Sequence, residues 1–258
     1  MNHRNLVAAT STAMAALLGL MICATPAAAD PAQDLDISGT VYVAHGVVFD
    51  QGFEPIGSVE AVGERLLSSG DHGLQAVGEQ LLSYESRRQD ASVATDPAAA
   101  EPAGESSPSL RGIAGYGCGS KSETFVRGEW NRAPWPATGI RSGHSALRCG
   151  KSNPNGGGWS HIWVDGHRAD FARQVASTGG PTDDKNMDTF IRSFVITQTL
   201  VWPDGVVSLD RNNSYQYSTY IELYDTRSGS MRSFTAYVAV GRTTENVVTA
   251  WPSGAIGD

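Results

Sequence analysis

Four segments decide the fold: Gly205-Val206-Val207-Ser208-Leu209-Asp210, Tyr215-Gln216-Tyr217-Ser218-Thr219-Tyr220-Ile221-Glu222-Leu223-Tyr224, Met231-Arg232-Ser233-Phe234-Thr235-Ala236-Tyr237-Val238-Ala239-Val240 and Val247-Val248-Thr249-Ala250-Trp251. Each alternates with a period of two and is rich in β-branched and aromatic residues, the signature of strands with two distinct faces. Turn residues separate them: Asn212-Asn213-Ser214, Thr226-Arg227-Ser228-Gly229 and Thr243-Thr244-Glu245-Asn246. Connections this short join neighbours, so the reading is a four-stranded antiparallel meander. Just upstream the period changes. Between Met187 and Leu200, Met187, Phe190, Ile191, Phe194 and Val195 fall on one face of a helix, and Pro203-Asp204-Gly205 ends it. Helices followed by strands give an α+β domain.

Working outward, this domain is expected to span 111–258, which holds all six tryptophans. The stretch 85–110 is dominated by Arg, Asp, Ala, Pro, Glu and Ser with almost no large apolar residue, so it reads as a disordered linker. Before it, 30–84 reads as an acidic segment. Thr40-Val41-Tyr42-Val43-Ala44 and Val47-Val48-Phe49 form a short strand pair around His45-Gly46. Then Ala61-Val62-Gly63-Glu64-Arg65-Leu66-Leu67-Ser68 recurs as Ala76-Val77-Gly78-Glu79-Gln80-Leu81-Leu82-Ser83, two short amphipathic helices. Residues 1–29 have a signal-peptide pattern: a basic start, an apolar run from Leu6 to Ala24, and an A-x-A site ending at Ala29. The apolar run is shorter than the ~20 residues of a membrane span. The mature chain is therefore expected to be secreted and extracellular, with no integral membrane segment.

The net charge of −8 is unevenly spread. Residues 30–110 carry a net −11 and residues 111–258 a net +2. The second half is thus compatible with a nucleic-acid partner, which the acidic average would disfavour. The leader could shield a basic face, or serve as a solubilising stalk. Two cysteines, Cys118 and Cys149, remain after signal removal, and in an exported chain they most simply form one disulfide.

The densest cluster of chemistry is Gly156-Gly157-Gly158-Trp159-Ser160-His161-Ile162-Trp163-Val164-Asp165-Gly166-His167-Arg168. Cleaving a phosphodiester without metal needs a base, an acid and donors for the phosphate charge, and histidines suit the first two roles. On spacing alone the plainer reading is stronger: His161 as an interior histidine beside two tryptophans, His167 as a surface residue at a helix start. Neither HxxxH nor HExxH occurs and neither cysteine belongs to a CxxC pair, so no metal or cofactor is expected. Gly143-His144-Ser145-Ala146-Leu147 begins like a nucleophile elbow, but Leu147 stands where its last glycine belongs.

Leu147-Arg148-Cys149-Gly150, the glycine loop with His161-Ile162 and a second histidine, Thr199-Leu200-Val201-Trp202-Pro203-Asp204, and Val247-Val248-Thr249-Ala250-Trp251 follow one another in an order that resembles the barnase–EndoU–colicin–RelE superfamily of bacterial toxin ribonucleases. The resemblance covers residues 147–252. It implies RNA as partner, His161 as leading acid/base residue with His167 beside it, and Thr249 as a hydroxyl directed at the phosphate. Arg168, Arg211, Arg232 and Tyr217 are the accompanying candidates for substrate binding. Asp165-Gly166 stands where the family usually has an arginine before its second histidine. No residue identifies a cognate inhibitor protein.

Two functional readings follow. One is an exported ribonuclease that cuts RNA by transesterification. The other is a non-catalytic secreted module that binds a protein or cell-envelope partner, favoured by an exposed patch of Trp130, Trp135 and Tyr217 and by a buried His161 ring.

Overall fold

A computed structural model describes residues 37–94, 116–151, 156–164 and 167–253. The expected signal peptide and the expected linker beyond residue 94 lie outside the described residues. In chain order the elements are β1 (Thr40–Ala44), β2 (Val47–Phe49), β3 (Pro55–Ser58), α1 (Val59–Leu67), α2 (His72–Leu82), α3 (Tyr84–Ala94), β4 (Val126–Arg132), β5 (Gly143–Arg148), α4 (Trp159–Val164) and α5 (His167–Ala176). A long helix, α6, runs through Asp184–Thr189, a π-helical Phe190–Val195 and Ile196–Val201. Then come β6 (Gly205–Leu209), β7 (Ser214–Asp225), β8 (Met231–Gly241) and β9 (Asn246–Pro252). The fold is mixed α and β, built on a mostly antiparallel sheet.

The four strands read from the period of two are present, but they are not a four-stranded meander. They are the middle of a nine-stranded sheet of order β3-β2-β1-β7-β8-β9-β5-β4, with β6 also on β7. The twelve-residue β7 is the axis. β8 pairs with it from Ser214↔Gly241 to Tyr224↔Met231. Its other edge is shared: β6 pairs with Ser214 to Ser218, and β1 with Ile221 to Asp225. Between those partners Asp204 completes the hydrogen bonding. Its carboxylate accepts the Tyr220 N–H at 2.8 Å, and its own N–H donates to the Ser218 carbonyl at 2.8 Å. Burial pushes the Asp204 carboxyl up, but hydrogen bonds from His45, the Tyr220 amide and Arg88 outweigh it and hold the group below its ordinary value.

The expected boundary at residue 111 does not separate two bodies. β1 enters the sheet beside β7, and Tyr42 packs its ring against Phe190 and Phe194 of α6 at 5.5 Å. All five β1 residues are buried, which only a strand covered on both faces requires. The first part of the expected linker is likewise a helix, α3. Its first residue, Tyr84, is buried in a core of the sheet, and the rest docks through ions, with Arg87 on Glu222 at 2.7 Å and Arg88 on Asp204.

Two cores flank the sheet. On the first face lie Tyr42, Leu147, Trp159, Phe171, Phe190, Phe194, Tyr217, Ile221, Phe234 and Val238, under α4, α5 and α6. On the second, Val41, Val43, Val62, Leu66, Val77, Leu81, Tyr84, Tyr220 and Tyr224 join the sheet to α1–α3. The sequence repeat explains how α1 meets α2. A Cβ on Gly78 would come within 2.8 Å of the Gly63 carbonyl, so the two equivalent glycines let the helices touch backbone to backbone. Ser58 and Asp71 cap the two N-termini. The two-residue turn at His45 and Gly46 has positive φ at both positions, as a primed hairpin turn requires.

One charge is fully enclosed. Glu222, in the middle of β7, accepts hydrogen bonds from Arg87, from the Tyr220 hydroxyl at 2.7 Å and from the Tyr224 hydroxyl. Burial, with the Glu222 charge adding to it, pushes the Tyr220 hydroxyl up to about 12, so it stays a donor. Removing the charge of one partner in such a pair strands the other. Glu222→Gln should cost about 3 kcal/mol in urea unfolding at neutral pH; a loss below the error of the fit would show that the network does not hold the helices down. Cys118 and Cys149 form the expected disulfide, with Cα atoms 5.7 Å apart. Replacing both by serine should lower stability by about 3 kcal/mol, matched by adding reductant to the parent.

Candidate active site at the outer edge of β9

β5 runs parallel to β9 but pairs with it only at Ala146↔Asn246 and Leu147↔Val247. Past that point α4 and α5 lie against β9 in place of a strand. Two features set their position. The first is a β-bulge in β9. Val240 opposes Val247, yet Ala239 opposes Thr249, so Val248 is the extra residue. The second is the glycine loop. Gly158, at φ 85°, donates its N–H to the Val248 carbonyl at 2.7 Å, and Ser160 donates to the Cys149 carbonyl at 2.8 Å. The start of α4 is therefore tied to the bulge on one side and to the disulfide on the other.

The bulge also decides which way the end of β9 points. Without it Thr249 and Trp251 would share the face of Val247, in the first core. With it they join Ala239 and Tyr237 on the second face. Trp251 stacks on Tyr237 at 5.4 Å and lies 6.3 Å from the His167 ring.

His161 near the end of α4 and His167 at the start of α5 meet with ring centroids 5.5 Å apart, edge to face. Both are buried, at 8 % and 5 % exposure. Their neighbours explain this. Trp159 and Ile162 anchor α4 in the first core, Phe171 anchors α5, and the imidazoles are left at the junction beside β9. The Asp170 carboxylate, which also binds Arg173, lies 3.8 Å from His167 Nδ1. Thr249, on the neighbouring strand, has a buried hydroxyl with no hydrogen-bond partner among the described residues. Two imidazoles in contact can take a proton and give a proton, and a threonine hydroxyl can donate a hydrogen bond. Among the described residues, no three His, Cys, Asp or Glu side chains gather as metal ligands would.

The other expected residues lie elsewhere. Arg168 is held by the Thr182 carbonyl and the Asp184 carboxylate, both at 2.8 Å, with its guanidinium over Trp163. Arg232 donates to Gln174 at 2.6 Å and so ties β8 to α5. Arg211 sits in the turn Asp210–Asn212, and its side chain lies outside the described residues. Tyr217 is wholly buried in the first core, where its hydroxyl accepts from Arg132 at 2.7 Å, so it offers no ring for a base to stack on. Alternation along β7 sends odd positions to that core. For the same reason the aromatic patch expected of a binding module does not form: Trp130 and Trp135 are half-buried against the core that encloses Tyr217.

Sequence reasoning overlooked Arg132, a buried guanidinium bonded to Ser145, Tyr217 and Glu245, and the Glu222 network. The signal for the second was present. A lone glutamate between Ile221 and Leu223 in a strand buried on both faces must find a cation. Compared with known proteins, the chain matches no family model, no curated protein and no solved structure.

A buried hydroxyl without a partner is destabilising, and Val is nearly its isostere. Thr249→Val should therefore raise stability by about 1 kcal/mol in urea unfolding, whereas a lowered stability would show that the hydroxyl is engaged.

Proposed function

We propose that the protein cuts RNA by metal-independent transesterification, as an exported ribonuclease of the barnase–EndoU–colicin–RelE type. The observation that carries this reading is the meeting of the His161 and His167 rings, 5.5 Å apart, where α4 and α5 lie against β9. One imidazole removes the proton of the ribose 2′-hydroxyl, whose oxygen attacks phosphorus. The other protonates the departing 5′-oxygen. The products are a 2′,3′-cyclic phosphate and a free 5′-hydroxyl. Asp170 places negative charge beside His167, which suits the imidazolium that must act as acid. His161 is then the base. Thr249 supplies a hydroxyl to the phosphate in place of Arg168 and Arg232, which are engaged elsewhere. A disulfide accords with export, since such crosslinks persist in oxidising compartments.

The burial of His161 favours a second reading, in which the pair is a packing feature of a non-catalytic secreted binding module. One experiment separates the two. The mature chain, incubated with total RNA or tRNA in EDTA, should generate cyclic-phosphate ends. His161→Ala and His167→Ala should each lower the rate by at least ~100-fold while unfolding at close to the parent's midpoint. No cleavage by the parent protein, across both RNAs, would leave the binding module.

A further inference from the structure

We propose that the Cys118–Cys149 disulfide is a redox latch on the histidine site: the chain folds with both thiols reduced, but α4 takes its working position only once they are oxidised. The inference rests on the RNA-cleaving reading and gives it a regulation. A nuclease made in a reducing cytosol is then idle there and becomes competent after export, where disulfides form.

Three observations support the latch. First, residues 116–125 form neither helix nor strand, and nine of the ten are exposed. Cys118 is the exception, at 2 % exposure. A segment that buries so little apolar surface does not offset its own ordering. Its far end is held by the sheet, where the carbonyls of Glu123 and Phe125 accept the N–H groups of Gly150 and Cys149 at 2.8 Å. Its near end, Tyr116 to Cys118, has the disulfide as its covalent anchor.

Second, both halves of the bridge act on the start of α4. On the Cys118 side, the Tyr116 carbonyl accepts the Trp159 indole N–H at 2.8 Å, and the Tyr116 ring stacks on Trp163 at 5.8 Å. On the other side, the Cys149 carbonyl accepts the Ser160 N–H at 2.8 Å. Trp159 and Trp163 bracket His161 on a helix of six residues, too short to hold its form alone. Freeing Tyr116 therefore loosens the turn that sets the His161 ring against His167.

Third, the rest of the fold does not use the bridge. β7, its partners β1, β6 and β8, and the whole second core are built from residues outside the span from Cys118 to Cys149. Closing the latch is a thiol–disulfide exchange. Two protons and two electrons pass from the cysteine thiols to a disulfide-class oxidant, which leaves as two thiols while the Sγ–Sγ bond forms.

The test uses the mature chain labelled with ¹⁵N in three forms: oxidised, refolded in dithiothreitol, and Cys118→Ser/Cys149→Ser. In the two forms without the bridge, the β7 and β8 amides should keep their shifts. The Trp159 indole N–H should lose its protection from exchange, and the His161 and His167 ring signals should move. RNA cleavage should fall at least ~100-fold, and oxidised glutathione should restore it in the reduced protein but not in the serine variant. Glu222→Gln, which weakens the sheet away from α4, should cleave like the parent and keep its ring signals. Unchanged indole and imidazole signals in the reduced form, or undiminished cleavage, refute the latch and leave the nuclease reading standing. Collapse of the β7 and β8 amides refutes it too, since the bridge would then be a general brace. If the oxidised protein cuts no RNA yet the same signals answer to redox state, the latch stands and the nuclease reading alone falls.

Discussion

The structure depends on how the long edge of β7 is satisfied. Twelve residues of buried backbone must all find hydrogen-bond partners, and neither β1 nor β6 is long enough to supply them on its own. The chain solves this with two short strands set end to end and one aspartate across the seam. Asp204 comes at the last turn before β6, where α6 has ended, so the helix, both half-partners and the seam are fixed together. Because β1 is one of those partners, the N-terminal segment is part of the sheet. The second core then needs a cover of its own, and α1–α3 supply it.

What was legible in the sequence was whatever local pattern dictates. The four strands after Gly205, the hairpin at His45-Gly46, the repeated helices and the helix over 187–200 follow from period and turn chemistry within a few residues. What was not legible depended on pairing across long separations. Ile37–Asp258 forms one compact unit because five residues near its start pair with five residues some 180 positions later, and composition averaged over an acidic segment conceals such a contact. β4, with Arg127, Glu129, Asn131 and Arg132 among its seven residues, does not read as a strand. It is one because its arginines reach Asp188 on α6 and the buried Ser145 and Tyr217.

The candidate site divides along the same line. His161 and His167 were found because two helices adjacent in sequence bring them together. Thr249 was named from a resemblance, but the reason that it faces the second side is a bulge, and a single extra residue leaves no mark in an alternating run of Val247-Val248-Thr249-Ala250-Trp251. Tyr217 was misjudged for the converse reason. Its strand alternates so that both faces are aromatic, and only the register tells which tyrosines are enclosed with Arg132 and which line a cavity on the second face.

Charge completes the argument. The N-terminal segment carries a strong acidic excess, and that excess suggests a leader drawn to a basic surface. Its docking runs the other way. Of the three arginines in residues 30–110, Arg87 and Arg88 reach across to Glu222 and Asp204 of the later half. Both carboxylates sit at or beside the β7 edge, where a bare negative charge could not be tolerated. Among the described residues, the acidic side chains of Glu54, Glu60, Glu64, Asp71, Glu79 and Asp90 are left exposed. The segment is therefore the counter-ion of the sheet, and the same two arginines that neutralise β7 place α3 as the wall of the cavity on its second face.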